Sequence, residues 1–224
     1  MARSFEIDLH QRVPADAAQV NPGHSIAGII LSAGASRRMG TPKALLALDG
    51  ETFLDRLIGL FSKAAQPVIV VLGHQGDQIR SGIARGAQAQ FVVNPDPERG
   101  MLSSLQCGLE AVPEETEAAM FTPVDHPNLE ISTLEKLIAR FQAERAPVTL
   151  PVYQGEHGHP VLIARALIAE ILALPATAQA SDVIHRYKSQ TSYVAVDDSA
   201  VTIDIDDRAA YAKLLAAQLL ARHP

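Results

Sequence analysis

Leu31–Lys43 reads LSAGASRRMGTPK, follows the apolar run Ile26-Ala27-Gly28-Ile29-Ile30, and ends on a lone lysine. An uninterrupted apolar run of this kind fits a strand buried on both faces. Small residues, two arginines and a lysine placed directly after such a strand are expected where backbone N–H groups and cations meet phosphate. Gly34 and Gly40 permit close backbone approach, while Arg37, Arg38 and Lys43 can balance a triphosphate's charge. The stretch therefore suggests a nucleoside triphosphate site, although a solvated basic loop fits the same spacing. It is not a Walker loop, because five residues separate the glycines and Thr41-Pro42 precedes the lysine, and it carries no G-x-G-x-x-G fingerprint. Met39 is expected to pack beneath the loop.

Outward from this stretch, strand and helix patterns alternate. Ala44–Leu48 is an apolar run closed by the turn pair Asp49-Gly50, and Thr52 is placed to cap a helix carrying Phe53, Leu54, Leu57, Ile58, Leu60 and Phe61. Val68–Leu72 and Phe91–Val93 read as strands, separated by a helix with Ile79 and Ile83 that ends near Gly86. After the loop Asn94–Met101 comes a helix with Leu102, Leu105, Leu109 and Val112 on one face, then a strand at Ala118–Thr122. Ser132 and Glu135 form a capping-box pattern ahead of a helix with Leu134, Leu137, Ile138 and Phe141. Strands at Val148–Tyr153, Val161–Ile163 and Tyr193–Val196, helical segments near 164–173 and 181–187, a short run Val201–Ile205 and a closing helix through Leu219 complete the chain. The alternation predicts an α/β fold with a mostly parallel central sheet and helices on both faces.

The even composition over 224 residues argues for a single domain over 26–224, preceded by an N-terminal extension at 1–25 without clear periodicity. A hydrophobic content of 47% without tryptophan implies a core of Leu, Ile, Val and Ala. The net charge of −6 argues against general nucleic-acid binding, which needs a basic face. One cysteine, Cys107, rules out an intrachain disulfide and a cysteine-only zinc site; it reads as a buried structural thiol between Leu105 and Leu109. With no long apolar span and no signal-peptide centre in residues 1–25, a cytoplasmic protein without membrane association is expected.

In sheets of this class ligands sit beyond the carboxyl ends of the strands, so the loops there carry the chemistry. Arg99, Gly100, Ser103 and Ser104 fall at a helix start suited to a phosphate or a base edge, and the serines could equally be caps. Asp125, held between Pro123 and Pro127 directly after a strand, stands where Mg²⁺ would meet a triphosphate; an Asp that only satisfies turn amides has the same pattern. In TIDIDD, period-two alternation puts Asp204 and Asp206 on one face and leaves Asp207 to cap the last helix. His157 and His159 straddle Gly158 and, with His126, lack the cysteines and helical spacing of a zinc site.

Taken in order, LSAGASRRMGTPKALL, GMLSSLQCGL, PVDHP, GHPVLI and TIDIDD resemble the molybdenum cofactor nucleotidyltransferase family, and most closely its cytidylyltransferase branch. The resemblance spans roughly residues 26–222 and implies a three-layer Rossmann-like nucleotidyltransferase fold. It also implies Mg²⁺-dependent transfer of CMP from CTP to a molybdopterin-type acceptor, with release of pyrophosphate. Carried over by position, Leu31, Ala33 and Gly34 would line base and ribose, and Arg37 and Lys43 would hold the phosphates. Gly100 and Ser104 would lie against the nucleotide, and Asp125 with Asp204 or Asp206 would bind Mg²⁺. His126, Gly158 and His159 would face the acceptor. LSAG replaces the usual LAAG of cytidylyl transfer and LAGG of guanylyl transfer: Ala33 favours CTP and Ser32 is off-pattern. His126 stands where the cytidylyl branch more often has Gln. GTP and sugar- or alcohol-phosphate acceptors are the alternatives within enzymes of this kind. A molybdenum hydroxylase or its chaperone is the partner such a product implies. A non-catalytic cofactor chaperone would bind without metal-dependent turnover, and Lys43 together with the acidic set argues against it.

Overall fold

The computed structural model describes residues 26–36 and 39–222, with the side chains of the last two helical residues excepted. The expected extension at 1–25, together with Arg37 and Arg38, lies outside the described residues. β1 (Ile26–Ser32) is buried along its whole length. A short hairpin follows, β2 (Ala47–Leu48) and β3 (Glu51–Thr52), whose turn residues Asp49 and Gly50 both have positive φ as a two-residue hairpin requires. Thr52 caps α1 (Phe53–Phe61), its hydroxyl oxygen accepting from the Asp55 amide at 3.0 Å. Next come β4 (Val68–Leu72), α2 (Gly76–Ser81), β5 (Gln90–Val93), α3 (Met101–Glu110) and β6 (Ala118–Pro123). The second half of the chain runs α4 (Ile131–Glu144), β7 (Val148–Tyr153), β8 (Glu156–His157), β9 (Val161–Ala164), α5 (Arg165–Leu172), α6 (Ala180–Arg186), β10 (Ser192–Ala195) and α7 (Arg208–Arg222).

The sheet order is β10-β7-β9-β6-β1-β4-β5, with β8 appended to β7. β1 pairs in parallel with β4 and β6, β4 with β5, and β7 with β10, while β9 runs antiparallel between β6 and β7. Alternate residues of β1 feed two apolar layers, so that Ile26 and Ile30 meet α1 and α4 while Ala27, Ile29 and Leu31 meet α3 and α5. The mostly parallel, three-layer Rossmann-like architecture is thus present. From β1 the chain goes to β4 and β5 on one side and then returns to β6 on the other, so a crevice opens at the carboxyl ends of β1 and β6, where Leu31 pairs with Pro123.

Three local expectations are corrected. Ser132 and Glu135 do not form a capping box. The N-cap of α4 is Glu130, and the distant Asp198 carboxylate accepts from the Glu130 amide and from the Thr133 hydroxyl, each at 2.9 Å. α2 ends at Ser81, before Ile83. The period-two alternation expected over TIDIDD does not hold: Ser199–Thr202 is a 3-10 turn, followed by a stretch outside regular structure through Asp206. Met39 is buried beneath the first loop as expected, and Asp207 accepts from the Ala210 amide at the start of α7. Cys107 is only partly buried on α3; burial raises its thiol pKa, and the charge of Glu110 adds to this. Among the described residues no helix is long and apolar enough to cross a membrane.

Candidate active site

A cavity of about 490 Å³ opens at the carboxyl ends of β1 and β6. The first loop, Leu31–Ser36, forms one wall and Pro42–Ala44 continues it. This loop is braced from within, since the Lys43 amide donates to the Ser36 hydroxyl oxygen at 3.0 Å. Gly100 and Ser104 form part of the opposite side. Gly100 adopts a φ of 91°, a left-handed conformation that favours glycine, and so turns the chain sharply into α3. The serines are not caps on their own. Asn94, buried at the end of β5, donates from its amide nitrogen to the Ser103 and Ser104 hydroxyl oxygens at 2.9 and 3.1 Å and so braces the start of α3, where Ser104 lines the cavity.

The charged end of the cavity is built by three side chains from distant parts of the chain. Lys43 Nζ donates to Asp125 Oδ2 at 2.8 Å and to Asp206 Oδ1 at 2.7 Å. Burial disfavours the Lys43 ammonium, but the hydrogen bonds and charges of Asp125 and Asp206 outweigh that cost, and its pKa lies above the ordinary lysine value. Backbone bonds set the spacing: the Val124 amide donates to the Leu31 carbonyl and the Ile205 amide to the Asp125 carbonyl, both at 3.0 Å. Two carboxylates sharing one cation give an oxygen-only donor set. That set suits a hard divalent ion, which takes one or two carboxylates and completes its shell with phosphate oxygens and water. Among the described residues no group of three or more His, Cys, Asp or Glu side chains could hold a metal alone, so water and phosphate oxygens would complete such a shell.

A family model of the MobA-like NTP transferase domain matches residues 28–191. The chain belongs to this family. MobA-like NTP transferases are nucleotidyltransferases, and the cavity just described lies where strand ends in this fold receive ligands. The chain is 26% identical over 178 residues to the molybdenum cofactor cytidylyltransferase of Escherichia coli K12, covering 80% of this chain and 89% of that protein. It is 29% identical over 191 residues to a probable molybdenum cofactor guanylyltransferase of Mycobacterium ulcerans, covering 83% and 90%. The crystal structure of Rv0371C in complex with manganese, from Mycobacterium tuberculosis H37Rv, superposes with a TM-score of 0.73 at 25% identity, over 86% of this chain and 98% of that one.

Of the residues singled out from sequence, Leu31, Ala33, Gly34, Lys43, Gly100, Ser104, Asp125 and Asp206 line this one cavity. Arg37 lies outside the described residues. Asp204 is turned toward His126, its carboxylate 2.8 Å from His126 Nε2. His126, assigned to the acceptor from the motif, is only 2% exposed, its two ring nitrogens are engaged within the protein, and it is not among the residues lining the cavity. Gly158 and His159 are likewise not part of the lining. The His159 ring stands 4.9 Å from the His126 ring, centroid to centroid, and its Nδ1 is buried without a hydrogen-bond partner. Burial pushes the His159 pKa down to about 4 and His126 adds to the effect, against opposing contributions from Asp125 and the Phe121 backbone. Several contributors escaped the sequence. Ser36, Asn94 and Ile79 look like a loop serine, a turn asparagine and a helical core position, and only the loop asparagine before two prolines hinted at a structural task.

Proposed function

We propose that this MobA-like transferase moves CMP from CTP to a molybdopterin-type acceptor with Mg²⁺ and releases pyrophosphate. The observation that carries this reading is the convergence of the Ala33-Gly34 loop, Lys43 and the Asp125–Asp206 pair on one cavity. The cytidylyltransferase of Escherichia coli among its relatives supports both the nucleotide and the acceptor class. Ala33, which lines the cavity at the position where the guanylyl pattern LAGG has glycine, supports CTP as the nucleotide.

In the proposed reaction an acceptor phosphate oxygen attacks the α-phosphorus in line. A new P–O bond forms there, the α–β P–O bond breaks, and its electron pair leaves on pyrophosphate. Attacker, α-phosphate and leaving group are all anionic, so catalysis is a matter of offsetting charge. Lys43 supplies a fixed ammonium, and the amides of the first loop and of the start of α3 supply dipoles. Asp125 and Asp206 would hold the divalent ion, which when bound provides Lewis-acid stabilisation of phosphate oxygens. No side-chain base is needed, because a phosphate monoester is already ionised near neutral pH.

The test is pyrophosphate release from CTP, GTP, UTP and ATP with molybdopterin and Mg²⁺, with and without a chelator. Turnover that favours CTP and disappears on chelation is the expected result, and activity with neither CTP nor GTP refutes the proposal. The Mycobacterium ulcerans relative makes GTP the specific alternative, and a clear GTP preference in the same assay would replace CTP in this reading.

A further inference from the structure

His126 holds the short segment that carries the second carboxylate. Its Nδ1 faces the Ala200 carbonyl oxygen at 3.1 Å and its Nε2 faces the Asp204 carboxylate at 2.8 Å, so one buried imidazole bridges two points of the stretch 200–204. On the same stretch the Ile205 amide donates to the Asp125 carbonyl at 3.0 Å, and the His159 amide donates to the Val201 carbonyl at 2.9 Å. Gly158 closes this contact: a Cβ there would stand 1.8 Å from the Val201 carbonyl oxygen, a distance no side chain can occupy. Residues 203–206 belong to no helix or strand, so nothing in their local sequence fixes their path. What fixes it is this set of bonds from the turns after β6 and β8. Asp204, with its side chain 58% exposed, ends on His126, whereas Asp206, two residues further on, ends on Lys43 beside Asp125.

We infer that His126 is a positioning residue and Asp204 its anchor, and that together they hold Asp206 on the side of the cavity that Asp125 occupies, where the two can share a divalent ion. The inference rests on the nucleotidyltransferase reading above. In it Asp204 is not a metal ligand, and His126 acts on the reaction through Asp206 without touching substrate. The alternation in TIDIDD makes the two aspartates look equivalent; the histidine that follows Asp125 distinguishes them.

The test uses the full chain and measures Mn²⁺ affinity by electron paramagnetic resonance in the presence of α,β-methylene CTP and, separately, α,β-methylene GTP. Temperatures are kept well below each variant's Tm. Because Asp204 is exposed, Asp204→Ala should fold normally while weakening Mn²⁺ binding about tenfold or more, the size expected for disturbing the orientation of a metal ligand. His126→Gln, which keeps a hydrogen-bond donor, should fall between the wild type and His126→Ala. Combining Asp204→Ala with Asp206→Asn should weaken binding no further than Asp206→Asn alone. Wild-type affinity in Asp204→Ala would overturn the inference, as would losses that multiply in the double variant, since these would make Asp204 a ligand in its own right. Failure of the wild type to bind Mn²⁺ with either nucleotide is a separate result, and it would overturn the nucleotidyltransferase reading and this inference together.

Discussion

Replacing Lys43 by alanine should move two measurable quantities in opposite directions. The carboxylate oxygens of Asp125 and Asp206 lie 2.8 and 2.7 Å from the same ammonium nitrogen and are therefore no more than about 5.5 Å apart. Without the ammonium, two like charges at that separation repel by about 3 kcal/mol at an effective dielectric constant of about 20. The Asp206 side chain is 49% exposed, so solvent screening reduces this to about 1.5 kcal/mol. A divalent ion entering nucleotide-free Lys43→Ala no longer competes with the ammonium and relieves that repulsion, so Mn²⁺ should bind roughly tenfold tighter than to the wild type. Turnover should fall at least ~100-fold, or about 2.7 kcal/mol in the barrier, because the one fixed cation that the proposed mechanism sets against the phosphates is gone. Mn²⁺ titration without nucleotide and pyrophosphate release with saturating substrates measure the two effects on one preparation. Turnover within about tenfold of the wild type would remove Lys43 from catalysis. Unchanged Mn²⁺ affinity would mean that the ion does not take the place between Asp125 and Asp206.

Asp125→Asn keeps the side chain's shape and removes its charge, so turnover should drop at least ~100-fold with an unchanged circular dichroism spectrum; near-normal turnover would exclude a role in metal binding. His159 should shape the acid limb of stability. Its pKa in the fold is about 4 against about 6.5 when unfolded, so between those values the unfolded chain takes up a proton that the fold resists. The contribution is intact above pH ~6.5 and is lost as pH falls toward 4, on the order of 3 kcal/mol in all. Urea midpoints from pH 7.5 to 4.5 should accordingly fall less steeply for His159→Gln than for the wild type, and equal slopes would contradict the assignment. Gly158→Ala forces its Cβ against the Val201 carbonyl and should cost about 2 kcal/mol or more, lowering Tm by roughly 5 °C. A Tm within about 1 °C of the wild type would show that the turn has room to yield.

The order of elements and the alternating strand and helix pattern could be read from residues close together in the chain, and so could the place of the small-residue loop directly after β1. The continuous apolar run Ile26–Leu31 marks a central strand, Asp49-Gly50 a hairpin and Thr52 a cap, because each signal is a local preference of backbone or side chain. Local rules failed where a distant group intervened. The start of α4 is satisfied by Asp198, 65 residues from Thr133, which Ser132 and Glu135 cannot foretell. Cys107 between two buried leucines reads as core, yet its own helical position leaves it only partly buried at the core's edge.

For the site, the sequence by itself determined which residue types are available and where their loops begin: small residues and Lys43 after β1, Gly100 and Ser104 before and within α3, and an aspartate directly after β6. Only the tertiary structure decided their pairing. Lys43 meets Asp125 across 82 residues and Asp206 across 163. Asp204, which the sequence makes the equal of Asp206, is drawn aside by His126. Spacing in a chain specifies directions within one element, whereas the separation of two carboxylates on different elements is set by sheet order and by the hydrogen bonds that tie one turn to another. Here those are the bond from Ile205 to Asp125 and the contacts of the His126 ring with Ala200 and Asp204.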